Sequence, residues 1–373
     1  FLTLDQMNAY ANKGGADSLR RIPSLSWLSD YQAYFFAMGK EGIDMNCLDL
    51  KQKTIKKTTT VPIVAENHHV NEKTLRVAYT IANNLFVADG DKQIQITDNP
   101  EGVIAGQSVH RNEFAIDGGI FWSPDGSQLA YYSMDERMVT DYPLVDITER
   151  IATATPIKYP MAGMDSHHVT LHIYNMKTGK ELIVKTGEPA EQYLTAITWN
   201  PDNSRIYIGV LNRGQNDLKF NEYNAKTGEL MQTIFEDTDE QYVEPQGPAY
   251  FLPNNSDQFI WKAQRDGYYH LYLYTISKAQ VKQLTHGDFV ITDFCGFSKD
   301  GKNIYYRSTE VSPLERHFYV QNIASGKTTK ITKEHGTHNV TPCGNGQYFL
   351  DAYTRTDVPL NVDVMNANGK FVN

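Results

Sequence analysis

The 373-residue chain carries 35 Lys and Arg against 44 Asp and Glu, a net charge of −9, and no basic stripe interleaves with aromatics. That balance argues against a nucleic-acid partner. Charged residues at 21% against 40% hydrophobic, with no run near the roughly eighteen apolar residues a membrane helix needs, exclude a disordered or helix-spanning chain.

In chain order, Leu2 to Leu19 comes first. Leu4, Met7, Tyr10 and Ala11 have helical spacing and Asp5 lies in the first turn, so a short N-terminal helix is expected. From there a repeat takes over: an apolar residue, a short Ser/Pro/Asp/Asn/Gly turn, then an alternating aromatic strand. The clearest copies are Trp122-Ser123-Pro124-Asp125-Gly126, Trp199-Asn200-Pro201-Asp202-Asn203 and Phe297-Ser298-Lys299-Asp300-Gly301. Weaker copies sit at Trp27-Asp30, Val70-Glu72, Leu252-Asn255 and Asn345-Gly346. The turns fall at residues 30, 72, 125, 202, 255, 300 and 345, in steps of 42, 53, 77, 53, 45 and 45, near the period of a propeller blade.

A second repeat checks the count, because a blade of four antiparallel strands needs another tight turn near its outer edge. Lys177-Gly179, Lys226-Gly228, Ala324-Gly326 and Asn366-Gly369 supply it, with looser versions at Asp49-Lys51, Asp89-Asp91 and Ile276-Lys278. Glycine there provides the positive φ that a two-residue hairpin demands. With 23 Tyr and 16 Phe favouring strands, the expectation is all-β: a propeller of seven four-stranded antiparallel blades forming one domain over residues 1–373.

Two segments break the rhythm, and insertions in repeat folds commonly carry function. One is the stretch Gly102–Gly119, which holds Val109-His110-Arg111-Asn112-Glu113-Phe114; the other is a long arm from about Met134 to Pro160. No Gly-x-Ser-x-Gly elbow, phosphate loop or HExxH motif is present. Cys47, Cys295 and Cys343 have no zinc spacing and read as free thiols. The pairs His68-His69 and His167-His168 are adjacent on strands, so the two members of a pair point to opposite faces and cannot chelate one ion together. No catalytic group, metal or cofactor is therefore expected in the chain itself.

The segment Val109–Phe114, followed by Phe121–Gly126 and Leu129-Ala130-Tyr131, resembles the substrate-anchoring segment of the dipeptidyl peptidase IV family of prolyl-specific serine peptidases. Tyr159-Pro160-Met161-Ala162-Gly163 resembles that family's return from its arm, and Arg265–Tyr272 its later Gly-aromatic-x-His strand. Ser312–Tyr319 is similar to bacterial prolyl tripeptidyl peptidases. The resemblance implies an exported, periplasmic or cell-surface protein. It also implies that this chain is the non-catalytic half, that an α/β-hydrolase domain with Ser, Asp and His follows Asn373, and that the whole enzyme dimerises. Its implied work is to admit thin peptides and hold a substrate's free N-terminal amine, with Glu113 as the anchor. Arg111 would touch a peptide carbonyl or pair with Glu113. Two departures stand out: a single acid in Arg111-Asn112-Glu113 where the dipeptidyl enzymes have adjacent glutamates, and seven blades where the family has eight. The competing expectation is a stand-alone binding or scaffold propeller that catalyses nothing.

Overall fold

The computed structural model describes residues 25–29, 31–342, 347–366 and 368–372. The helix expected over Leu2–Leu19, Cys343 and the turn Asn345-Gly346 lie outside the described residues. The chain divides into two compact units, residues 1–63 and 64–373.

The first unit holds one antiparallel sheet of four strands, Ser26–Trp27, Gln32–Met38, Ile43–Asp49 and Thr54–Val61, in sequential order. Among the described residues the second unit holds six more blade sheets, spanning residues 66–95, 103–183, 192–238, 250–283, 291–330 and 337–366, and a separate two-stranded ribbon within the second of these spans. The sheet over 103–183 carries an extra strand, Val103–Ala105, paired with the end of Gln128–Asp135. The last sheet has three strands, with Phe371 bridging to Met365 beside it. Numbered in chain order these are blades 1 to 7, so among the described residues the fold is an all-β propeller of seven blades.

The first turn repeat joins the first two strands of its blades. In blade 3, Ser123 N donates to Gln128 O and Gly126 N to Ser123 O; Asn200 and Asn203 in blade 4, and Ser298 and Gly301 in blade 6, repeat both bonds. The tryptophan before the turn has a second task. Trp122 Nε1 donates to His69 O and Trp199 Nε1 to Phe121 O, each at 3.0 Å, so an indole ties each blade to the one before it. Alternating aromatics then fill the seams. Phe220 of blade 4 lies 4.9 Å from Trp261 of blade 5, ring centre to ring centre.

The second repeat is longer than the two-residue hairpin expected. Tyr174 pairs with Glu181 across the loop, and Asn175 closes it: its N–H donates to Lys180 O, and its Oδ1 accepts from Lys177 N and Thr178 N. Gly179 at φ +67° supplies the left-handed residue. Asn224, Asn322 and Asn366 each head an equivalent loop. An Asn side chain that mimics a backbone acceptor allows the wider turn.

The arm is a two-stranded ribbon, Asp141–Asp146 paired with Thr153–Lys158, and nearly all of it is exposed. Cys47 and Cys295 are free, and burial pushes the Cys295 thiol up to about 11, far from the thiolate a reactive cysteine needs.

Candidate functional site

The irregular stretch between blades 2 and 3 is pinned at both ends. Val109 and Ile116 are buried in the hydrophobic cluster shared by blades 3 and 4, and Ser108 Oγ donates to Ile116 O at 2.9 Å. Gly119 is required by close approach, because a Cβ there would meet Gln107 O at 2.0 Å. Between the pins, His110, Arg111, Asn112, Phe114 and Ala115 all have φ between +51° and +61°. Left-handed geometry in residues other than glycine costs on the order of 1 kcal/mol or more each. Glu113 alone is extended, at φ −80° and ψ 168°.

Two aromatic contacts and two hydrogen bonds hold the segment there. The His110 ring is buried, 4.7 Å edge-on to Tyr193, and its Nδ1 lies 2.8 Å from His167 Nε2. Phe114 packs 4.4 Å from Tyr193, and Thr195 Oγ1 donates to Phe114 O at 2.5 Å. Tyr193 in turn accepts a hydrogen bond from Arg213 Nη1. Arg213 lies 3.9 Å from Glu191, whose other oxygen accepts from Ser166 N.

The two irregular segments meet at one cavity of about 580 Å³, lined by Arg111, Glu113, Tyr159, His167, Tyr193 and Arg213 among others. Tyr159 comes from the base of the arm. Arg111 reaches across to it: Nη2 donates to Lys158 O at 2.9 Å and the guanidinium lies 4.6 Å over the Tyr159 ring. Among the described residues Arg111 does not pair with Glu113, and Glu113 makes no ion pair; its side chain is exposed on the cavity wall. Glu136, also on the wall, has its carboxyl pushed up by burial, with Lys158 and Arg111 drawing it back.

Arg111 and Glu113, the two residues singled out in the sequence, both line this wall, together with His110, His167, Tyr193 and Arg213, to which the sequence assigns no role. His167 cannot share an ion with its sequence neighbour His168. The partner it finds is 57 residues away in sequence.

Burial, then the neighbouring His167 and the positive Arg213, hold His110 down to about 3; burial and the same arginine hold His167 at about 4. Both rings are neutral at pH 7. A histidine whose folded pKa lies below its unfolded value near 6.5 contributes stability above that value and loses it as pH falls toward the folded pKa. Urea midpoints are therefore expected to drop as pH falls from 6.5 to 4. His110→Asn, which tolerates a positive φ, should flatten that stretch by about 1–2 kcal/mol. A profile identical to the parent's would show that His110 does not titrate in this way.

The arrangement can hold a small cationic group against an unpaired carboxylate, beside an arginine already braced on a carbonyl. Residues 43–360 match the family model for the dipeptidyl peptidase IV (DPP IV) N-terminal region. The solved structure described as a putative dipeptidyl aminopeptidase IV from Bacteroides ovatus superposes with a TM-score of 0.84 at 36% identity, covering 99% of this chain and 54% of that one. Porphyromonas gingivalis dipeptidyl peptidase 4 shares the fold, with a TM-score of 0.75 at 23% identity over 91% of this chain and 50% of its own. Among curated proteins, the "probable dipeptidyl peptidase 4" of Aspergillus flavus is 26% identical over 312 residues, which cover 76% of this chain and 39% of that protein. The chain thus spans between about two fifths and just over half the length of these relatives. With the family model matched over most of its length, the chain belongs to the dipeptidyl peptidase IV N-terminal region family.

Proposed function

We propose that this chain is the propeller half of a prolyl-specific dipeptidyl or tripeptidyl serine peptidase, where it gates peptide access and holds the substrate's N-terminal amine at Glu113. The observation that carries the reading is an unpaired carboxylate on the wall of the cavity where the Gly102–Gly119 stretch and the arm meet. A protonated amine entering a partly desolvated pocket needs a fixed counter-charge, and Glu113 is free to supply it. Arg111, with part of its donor fork used on Lys158 O and Tyr159, has N–H groups left for a peptide carbonyl. The relatives' names, dipeptidyl peptidase and dipeptidyl aminopeptidase, support the peptidase class.

On this reading the Ser, Asp and His of the chemistry belong to an α/β-hydrolase domain beyond this chain. The distance from Glu113 to that serine measures how many residues are removed. A single acid at Arg111-Asn112-Glu113 is compatible with release of two or three residues. A homodimer of the full-length protein and an exported location belong to the same proposal.

The test is Glu113→Gln in the full-length protein, with free-amino peptides compared against des-amino peptides of equal length. kcat/KM for free-amino peptides should fall about 30- to 1000-fold, and for des-amino peptides by less than about threefold. Equal losses on both, or no loss, would remove Glu113 from the anchoring role.

A further inference from the structure

We propose that Thr195 and His167 are positioning residues that hold the segment His110–Ala115 in its left-handed path and so present the Glu113 carboxylate to the cavity. The inference rests on the reading of Glu113 as the amine anchor. Five of the six residues from 110 to 115 have positive φ, and the exception is Glu113 itself. A path of that kind is kept only where the surroundings over-determine it. The apolar pins Val109 and Ile116 fix where the segment starts and ends but not how it runs between.

Among the described residues, only two side-chain hydrogen bonds reach the run from outside it apart from the arm contact of Arg111, and they flank the glutamate. His167 Nε2 meets His110 Nδ1 three residues before it, at 2.8 Å, and Thr195 Oγ1 donates to Phe114 O one residue after it, at 2.5 Å. Both partners stand on rigid ground. Thr195 is fully buried in the strand Gln192–Trp199, and Gly209 opposite leaves room for its methyl group, since a Cβ there would lie 3.1 Å from Thr195 Cγ2. The strand bulges just after Thr195, with Ala196 at φ +54°, which breaks the regular pairing between Thr195 and Thr198. Bulges commonly re-aim side chains beside functional sites. His167 immediately precedes the blade 3 strand His168–Asn175. His110 keeps its Nδ1 bond although its buried Nε2 finds no partner. An imidazole left half-satisfied in the interior is an expensive choice unless its one bond has a task.

Thr195→Val is the cleanest probe, because it keeps the shape and removes only the donor; Thr195→Ser restores the donor. In the full-length protein two readouts are taken: amide hydrogen exchange at Glu113 and Ile116, whose N–H groups bond to His110 O and Glu113 O, and the kcat/KM ratio of free-amino to des-amino peptides. Thr195→Val should quicken exchange about tenfold and lower the ratio about tenfold, mainly through KM, with Thr195→Ser restoring both. His167→Leu should act in the same direction and His167→Gln should recover part of the loss. The positioning role is overturned if exchange quickens while the ratio holds, or if neither changes, in a protein where Glu113→Gln does lower the ratio. If Glu113→Gln leaves the ratio untouched, the anchor reading itself fails and this proposal falls with it.

Discussion

Phe220→Ala should lower the unfolding free energy by about 3–5 kcal/mol, the usual range for deleting a fully buried phenylalanine ring. Phe220 is fully buried in the strand Asp217–Asn224 of blade 4. It stacks on Tyr207 and Phe235 of its own blade at 5.7 and 5.2 Å, and meets Phe259 and Trp261 of blade 5 at 5.6 and 4.9 Å. Truncation removes a contact from four rings at once. The strands behind those rings are fixed by ladder hydrogen bonds, so the seam cannot collapse to fill the space, and the cost belongs at the upper end of the range. Urea unfolding should show the midpoint falling with an unchanged slope. Phe220→Leu, which leaves most of the volume filled, should lose less than half as much. A loss below about 1 kcal/mol for the alanine variant would mean that the seam repacks and is not a rigid joint.

The same seam explains why the blade count was legible in the sequence. Each blade must make the same turn at the same point, so Ser123, Asn200 and Ser298 recur with their bonding pattern, and the spacing of turns reports the blades directly. What joins blades is less visible. The indole bonds of Trp122 and Trp199 run to backbone carbonyls, which carry no residue identity to search for. The family-like strand around His270 was recognised without its reason. His270 Nε2 donates to Gly287 O, and its Nδ1 pairs with Thr285 Oγ1, which also accepts from Leu271 N. His317 and Thr332 repeat the pairing with Thr and the backbone bond one blade later, at the same separation of 15 residues. The motif there is a brace at the end of a blade, a structural use that spacing alone could have exposed.

At the candidate site the sequence was informative where a short motif carried the charge and silent where distance carried the contact. Arg111 and Glu113 lie in one recognisable string. The residues that shape their surroundings are His167, just before the blade 3 strand His168–Asn175, and Tyr193, Thr195 and Arg213 from blade 4, and local patterning does not record which loop they will face. The meeting of Arg111 with Tyr159 is of the same kind: both segments were singled out as irregular, but only the fold brings them to one cavity.

Arg265→Met should be the second costly change, at about 1–3 kcal/mol near neutral pH, with a pH dependence that identifies its cause. Arg265 Nε and Nη2 both donate to Asp237 Oδ1, at 3.0 and 2.7 Å, and the guanidinium lies 4.9 to 5.5 Å over the rings of Phe235, Tyr272 and Tyr274. Methionine can replace much of the packing but not the charge. Burial already pushes the Asp237 carboxyl up, with Arg265 drawing it back, so removing the arginine raises it further. A carboxyl whose folded pKa lies above its unfolded value favours the fold most when protonated, and that contribution is lost as pH rises through the folded pKa. The deficit of Arg265→Met relative to the parent should therefore be largest at pH 7.5 and shrink as pH falls toward 4.5. Asp237→Asn in the Arg265→Met background should recover most of it at pH 7.5, because no half-buried charge is then left unpaired. A deficit equal at both pH values, and untouched by Asp237→Asn, would place the loss in the three aromatic contacts and leave the ion pair without a part in it.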